Sequence, residues 1–127
     1  MISQGIILAL DLGAKQTGLA LFKEGFVVGR GVVGGWLEWQ QLSAQLSRVI
    51  AEEQVARIVV GVPHSPSGDQ ARQYETYIAV INKKFALPVS TVDETLTSVA
   101  AREQGASTDD HEGAAKIILE DYLAQNR

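Results

Sequence analysis

Carboxylates stand at three places in this sequence where ordinary packing does not call for them. Asp11 interrupts the apolar run "ILALDLGAKQTGLAL", Asp93 and Glu94 close "LPVSTVDE", and Asp109 and Asp110 open "DDHEGAAKIILEDYL". Burying a lone carboxylate is costly unless hydrogen bonds, a partner charge or a metal ion holds it. If the first and last strands are neighbours, Asp11 and Glu94 approach each other, and the start of the last helix brings Asp109 and Asp110 to the same place. Unpaired carboxylates at that range repel, and a divalent cation removes the difficulty. Mg²⁺ and Mn²⁺ take hard oxygen ligands and keep waters for exchange. Two such ions about 3.5–4 Å apart clamp a phosphodiester, activate water and stabilise the leaving oxygen. Each residue alone also has a plainer reading. Asp11 could accept backbone N–H bonds around Gly13, and the other carboxylates could cap the helices that follow them. Acidic residues also suit the positive end of a helix. Only the joint placement points to chemistry.

The elements that must position these groups follow from hydropathy. "GIILALD", "TGLALF" and "FVVGRGVV" are short apolar runs punctuated by Gly13 to Lys15 and Gly25, which predicts a three-stranded antiparallel meander with "KEG" as its tight connection. From Trp36 the period changes. Trp39, Leu42, Leu46, Val49 and Ile50 recur at helical spacing, and Trp36 and Trp39 are expected to pack against the sheet instead of stacking on bases. "ARIVVGVP" is a strand ended by Pro63, "HSPSGDQ" a surface loop, residues 70–85 a helix through Tyr74, Ile78, Ile81 and Phe85, and "LPVSTVD" a further strand. "ETLTSVAAREQG" reads as a helix closed by Gly105. The last helix shows an apolar face at Ala114, Ile118 and Tyr122. The order βββαβαβαα implies an α/β domain over residues 1–127, a mixed five-stranded sheet with helices on both faces. Ligands in such sheets sit at the carboxyl ends of strands, where Asp11, Asp93 and Glu94 fall.

Composition narrows the function. The absence of cysteine removes thiolate metal sites and cysteine nucleophiles, and fits a reducing compartment, so the cytoplasm is the expected location. The apolar run at the N-terminus stops at Asp11 and resembles a core strand, not a signal peptide or a membrane span. A formal charge of −4 argues against binding nucleic acid by a general basic excess, although bound cations would reverse the sign locally. Basic residues are scattered, with Lys83 and Lys84 the only adjacent Lys pair.

"ALDLGAKQTGLAL", "VVGVPHSPSG", "VSTVDETLTS" and "DDHEGAAKIILEDYL" occur in the order of the YqgF/RuvX family, which the chain resembles over nearly its whole length. Members of that family are described as Holliday junction resolvases and as pre-16S rRNA nucleases. The resemblance implies a ribonuclease H-like fold and metal-dependent cleavage of nucleic acid, with processing of the 5′ end of pre-16S rRNA as the leading expectation. Asp11 matches the family's first-strand Asp, and Glu94 the Glu of its "DERLTT"-like motif. Without gaps, His111 falls where an Asp is usual and Asp110 lies one residue earlier. The implied catalytic and metal set is therefore Asp11, Glu94 and Asp110, with His111 as the alternative third ligand and Mg²⁺ or Mn²⁺ as cofactor. Lys15 is carried over as a residue that steers phosphate. Thr95 replaces an Arg, "GAKQTG" replaces a "GTKRIG"-like loop, and His64 and Ser65 replace an apolar–Asn pair between Pro63 and Gly68, so the grip on substrate differs. The expected partner is pre-rRNA or branched DNA. Resolving a junction by two symmetric cuts would require a homodimer, whereas trimming rRNA would not.

Two other readings stay open at this level. "DLGxxxxGLAL" also resembles the phosphate-binding hairpin of actin-like and Hsp70-like ATPases, which need two lobes where this chain has room for one. A nucleic-acid-binding module without activity would accommodate the displaced Asp and the missing Arg.

Overall fold

The computed structural model describes residues 5–62, 68–93 and 110–126. The first three strands are β1 (Ile6–Asp11), β2 (Gln16–Lys23) and β3 (Phe26–Gly34), and a 3-10 turn at Trp36–Glu38 leads into α1 (Trp39–Glu53). β4 (Val55–Val62), α2 (Gly68–Phe85), β5 (Val89–Asp93) and α3 (His111–Gln125) complete the described elements. The expected strands and three of the expected helices are present. Gly68 and Asp69, placed in the loop by their composition, already belong to α2. The helix expected over "ETLTSVAAREQG" and most of the second loop lie outside the described residues.

One five-stranded sheet has the order β3-β2-β1-β4-β5. β1, β2 and β3 pair antiparallel, and β4 pairs parallel to both β1 and β5. Lys23 pairs with Phe26 across a two-residue turn in which Glu24 (φ 54°) and Gly25 (φ 85°) are both left-handed, the turn that matches the twist of a hairpin. The first and last strands are not neighbours, because β4 pairs with both. A parallel crossover inserts the intervening strand, and hydropathy alone does not state that order. Even so, the carboxyl ends of β1 and β5 are level. Leu10 pairs with Val60, and Val60 with Thr91, which sets Asp11 beside Gly61 and Val92, about 10 Å apart across two strand spacings.

Strand alternation gives the sheet two covered faces. On one, Leu8, Leu10, Leu19, Leu21, Ile58 and Val60 meet Leu42, Leu46 and Val49 of α1 and Ile81 of α2. Trp36 and Trp39 both stack on Tyr77 of α2, with ring centroids 5.3 and 5.7 Å apart, so the tryptophans pack as expected. On the other face Ile7, Ala9, Ala20, Val59 and Val92 meet Ala115, Ile118, Leu119 and Tyr122 of α3. By the same alternation Asp11 belongs to the α3 face, whereas Asp93, next to Val92, turns to the opposite one.

Candidate active site

Asp11 is the last residue of β1, and its side chain is 17% exposed. The loop after it is held from both sides. Gly13 is needed because a Cβ there would overlap the carbonyl oxygen of Gln16. The amides of Trp36 and Leu37 donate to the carbonyls of Gly13 and Ala14, each at 3.0 Å, and fasten the loop to the start of the helical segment. Across the hairpin Asp11 pairs with Gly18. A Cβ at Gly18 would overlap the carbonyl oxygen of His111, so this glycine is where the first residue of α3 rests on the sheet. A second such place is Gly61, where a Cβ would overlap Ile118.

The start of α3 then assigns three consecutive residues to three tasks. Asp110 is the N-cap and its Oδ1 accepts from the Gly113 amide at 2.8 Å. His111 turns toward β1 and places Nδ1 3.0 Å from Asp11 Oδ2. Glu112 reaches across β2 to β3, where Oε2 accepts from the Gly31 amide at 2.5 Å and the carboxyl group lies over Gly29. Asp110 and His111 both sit at the expected helix start, and the hydrogen bonds distinguish them: the imidazole faces Asp11 and the carboxylate caps. Lys15 is exposed and lines an open depression with Ala14, Gln16 and His111. Glu94 lies outside the described residues. Among the described residues no group of three or more His, Cys, Asp or Glu side chains is arranged to hold a metal ion. The donors that do converge, one carboxylate oxygen and one imidazole nitrogen, suit one side of a divalent ion's shell.

Gly18 and Glu112 carry the geometry and were not singled out from the sequence. A signal for the first existed, because an isolated glycine inside a strand marks close approach of another backbone. Glu112 had none: its partner is an amide 81 residues away.

The five-stranded mixed sheet of order β3-β2-β1-β4-β5, with helices on both faces, has the ribonuclease H-like fold, and solved structures of that class superpose on it. Thermus thermophilus RuvC in complex with a Holliday junction substrate matches with a TM-score of 0.68 at 14% identity, over 95% of this chain and 96% of that one. The fowlpox virus Holliday junction resolvase matches with a TM-score of 0.60 at 14% identity, over 96% and 99%. The family described as "RuvX: Holliday junction resolvase" matches residues 5–125, and the chain belongs to it. A protein of Ralstonia pickettii named "Putative pre-16S rRNA nuclease" is 34% identical over 97% of this chain and 90% of its own length. A protein of Chloroflexus aurantiacus with the same name is 31% identical over 96% and 88%. The chain is thus a nuclease, a hydrolase of phosphodiester bonds that binds nucleic acid, and its family implies dependence on a divalent metal. No helix among the described residues is long and apolar enough to cross a membrane.

Proposed function

We propose that this protein cleaves the precursor of 16S rRNA at its 5′ end, in the cytoplasm, by metal-dependent hydrolysis at Asp11. The observation that carries the site is the approach of His111 to Asp11 at 3.0 Å, beside Lys15, at the carboxyl edge of the sheet. The choice of pre-rRNA over branched DNA rests on the names of the full-length relatives.

Asp11, Glu94 and a third group would hold Mg²⁺ or Mn²⁺. For the third group, Asp110 and His111 are the two readings, and the hydrogen bonds favour His111, because the Asp110 carboxylate is engaged at Gly113. An imidazole in the set favours Mn²⁺, since Mg²⁺ demands oxygen ligands more strictly. When bound, the ion would supply Lewis acidity toward the phosphodiester and the attacking water. The chain's own contribution is placement. Asp11 is fixed by the β1–β2 pairing, His111 by the contact at Gly18, and Lys15 on the rim attracts the phosphate. Symmetric junction cutting would require a homodimer, so sedimentation of the protein with a four-way DNA junction separates that reading from the main one.

The direct test incubates purified protein with RNA spanning the 16S 5′ leader, with and without Mn²⁺. Cleavage that needs the metal and is absent in Asp11→Asn is the expected result. Equal cleavage by Asp11→Asn and wild type would remove Asp11 from the mechanism.

A further inference from the structure

A second groove adjoins the depression beside His111. Ala14 and Lys15 line both, and Gly34, Gly35, Leu37, Glu38 and Gln41 complete the second. Folding does not explain what stands there. Leu37 is 68% exposed. Glu38 is the N-cap of α1, where Ser, Thr, Asp or Asn is favoured, and its side chain caps nothing. The backbone amides of the 3-10 turn are already used: Trp36, Leu37 and Glu38 donate to the carbonyls of Gly13, Ala14 and Gly35.

A phosphate in this groove is offered none of the three turn amides and meets the repulsion of Glu38. A nucleobase finds a better match. Leu37 offers an apolar surface for the ring, the Glu38 carboxylate accepts from an amino group, and the Gln41 amide both donates and accepts. Charge also runs in the right order along the path, with Lys15 on the rim shared by both depressions and Glu38 beyond it.

We infer that the groove between Lys15 and Gln41 holds a nucleobase of the substrate strand next to the scissile phosphate, with Leu37 against its face and Glu38 accepting from its exocyclic amino group. Adenine, cytosine and guanine are then preferred over uracil at that position. This inference rests on the nuclease reading of the Asp11 site. It makes Leu37 and Glu38 specificity-determining residues that take no part in bond cleavage.

The experiment uses labelled RNA oligonucleotides in which each position flanking the mapped cut is replaced in turn by an abasic residue or by uracil. Cleavage is measured with Mn²⁺, and binding by fluorescence anisotropy with Ca²⁺ in its place. For wild type, an abasic residue at one flanking position lowers both by about tenfold. In Leu37→Ala that sensitivity falls below about twofold, and in Glu38→Gln the penalty for uracil disappears while the abasic penalty remains. Both residues are exposed, so these variants keep the fold. Abasic penalties that are the same in wild type and Leu37→Ala would overturn the inference. Failure of the nuclease reading looks different: wild type cuts no RNA, yet in leader oligonucleotides made abasic at every position in turn one position still weakens binding, and that effect is lost in Leu37→Ala. Absence of RNA binding by wild type overturns both.

Discussion

Against one face of the sheet α1 and α2 set Leu42, Leu46, Ile81 and the Trp36–Tyr77 stack; against the other, α3 rests on Ala9, Gly18, Ala20 and Gly61. Large side chains hold a helix away from the strands and remove the most apolar area from water, which is where most of the stability arises. Small residues let the helix backbone descend onto the sheet, and only then does the first residue of α3 reach a carboxylate at the end of β1. One face is built for burial and the other for placement. Substitutions on the two faces should therefore separate stability from activity.

The largest loss of stability is expected on the burial face. Leu46 is fully buried, and Leu46→Ala should destabilise by about 3–4 kcal/mol in urea denaturation, while protein that remains folded cleaves at the wild-type rate. On the placement face, Gly18→Ala forces the His111 carbonyl off the strand. A loss of about 2–3 kcal/mol is expected, together with loss of most activity, because Asp11 and His111 separate. Equal activity per folded molecule in the two variants would break the distinction between the faces. A smaller effect belongs to Asp110. Asp110→Ala removes the cap of α3 and should cost about 1 kcal/mol, read from the same denaturation curves.

An effect of similar size lies between the β2–β3 hairpin and the end of α1, where Lys23 and the Arg30 side chain reach Glu53 at 3.0 and 2.8 Å. The Arg30 hydrogen bond, then that from Lys23, hold the Glu53 carboxyl below its usual 4.5. A carboxyl depressed in the folded state stabilises above its unfolded pKa, and that contribution is lost as pH falls through the lower folded value. Glu53→Gln should then be less stable than wild type by about 1 kcal/mol at pH 7, since Arg30 and Lys23 are each over a third exposed. The gap should close as the pH is taken below 4.5. A gap that stays constant with pH would show that packing, not charge, holds this corner.

Local patterns made much of the fold legible. The meander, its Glu24–Gly25 turn, the amphipathic α1 and the burial of Ala114, Ile118 and Tyr122 all follow from periodicity and turn chemistry within a few residues. Strand order was not legible, because the position of β4 between β1 and β5 is fixed by pairing across tens of residues. Asp11 was legible as a carboxylate in need of a partner. Which neighbour faces it was not: adjacent helix positions differ by about 100° in direction, and the choice between Asp110 and His111 is set by where Gly18 lets α3 settle.

The start of α3 delivers His111, and not Asp110, to Asp11. Mn²⁺-dependent cleavage of the 16S leader RNA by Asp11→Asn, His111→Ala and Asp110→Ala, at equal folded concentration, tests it most directly. The first two variants should lose at least about a hundredfold in rate, or about 2.7 kcal/mol of barrier, while Asp110→Ala stays within about threefold of wild type. Near-normal cleavage by His111→Ala with loss of activity in Asp110→Ala would make Asp110, and not His111, the partner of Asp11 in the reaction.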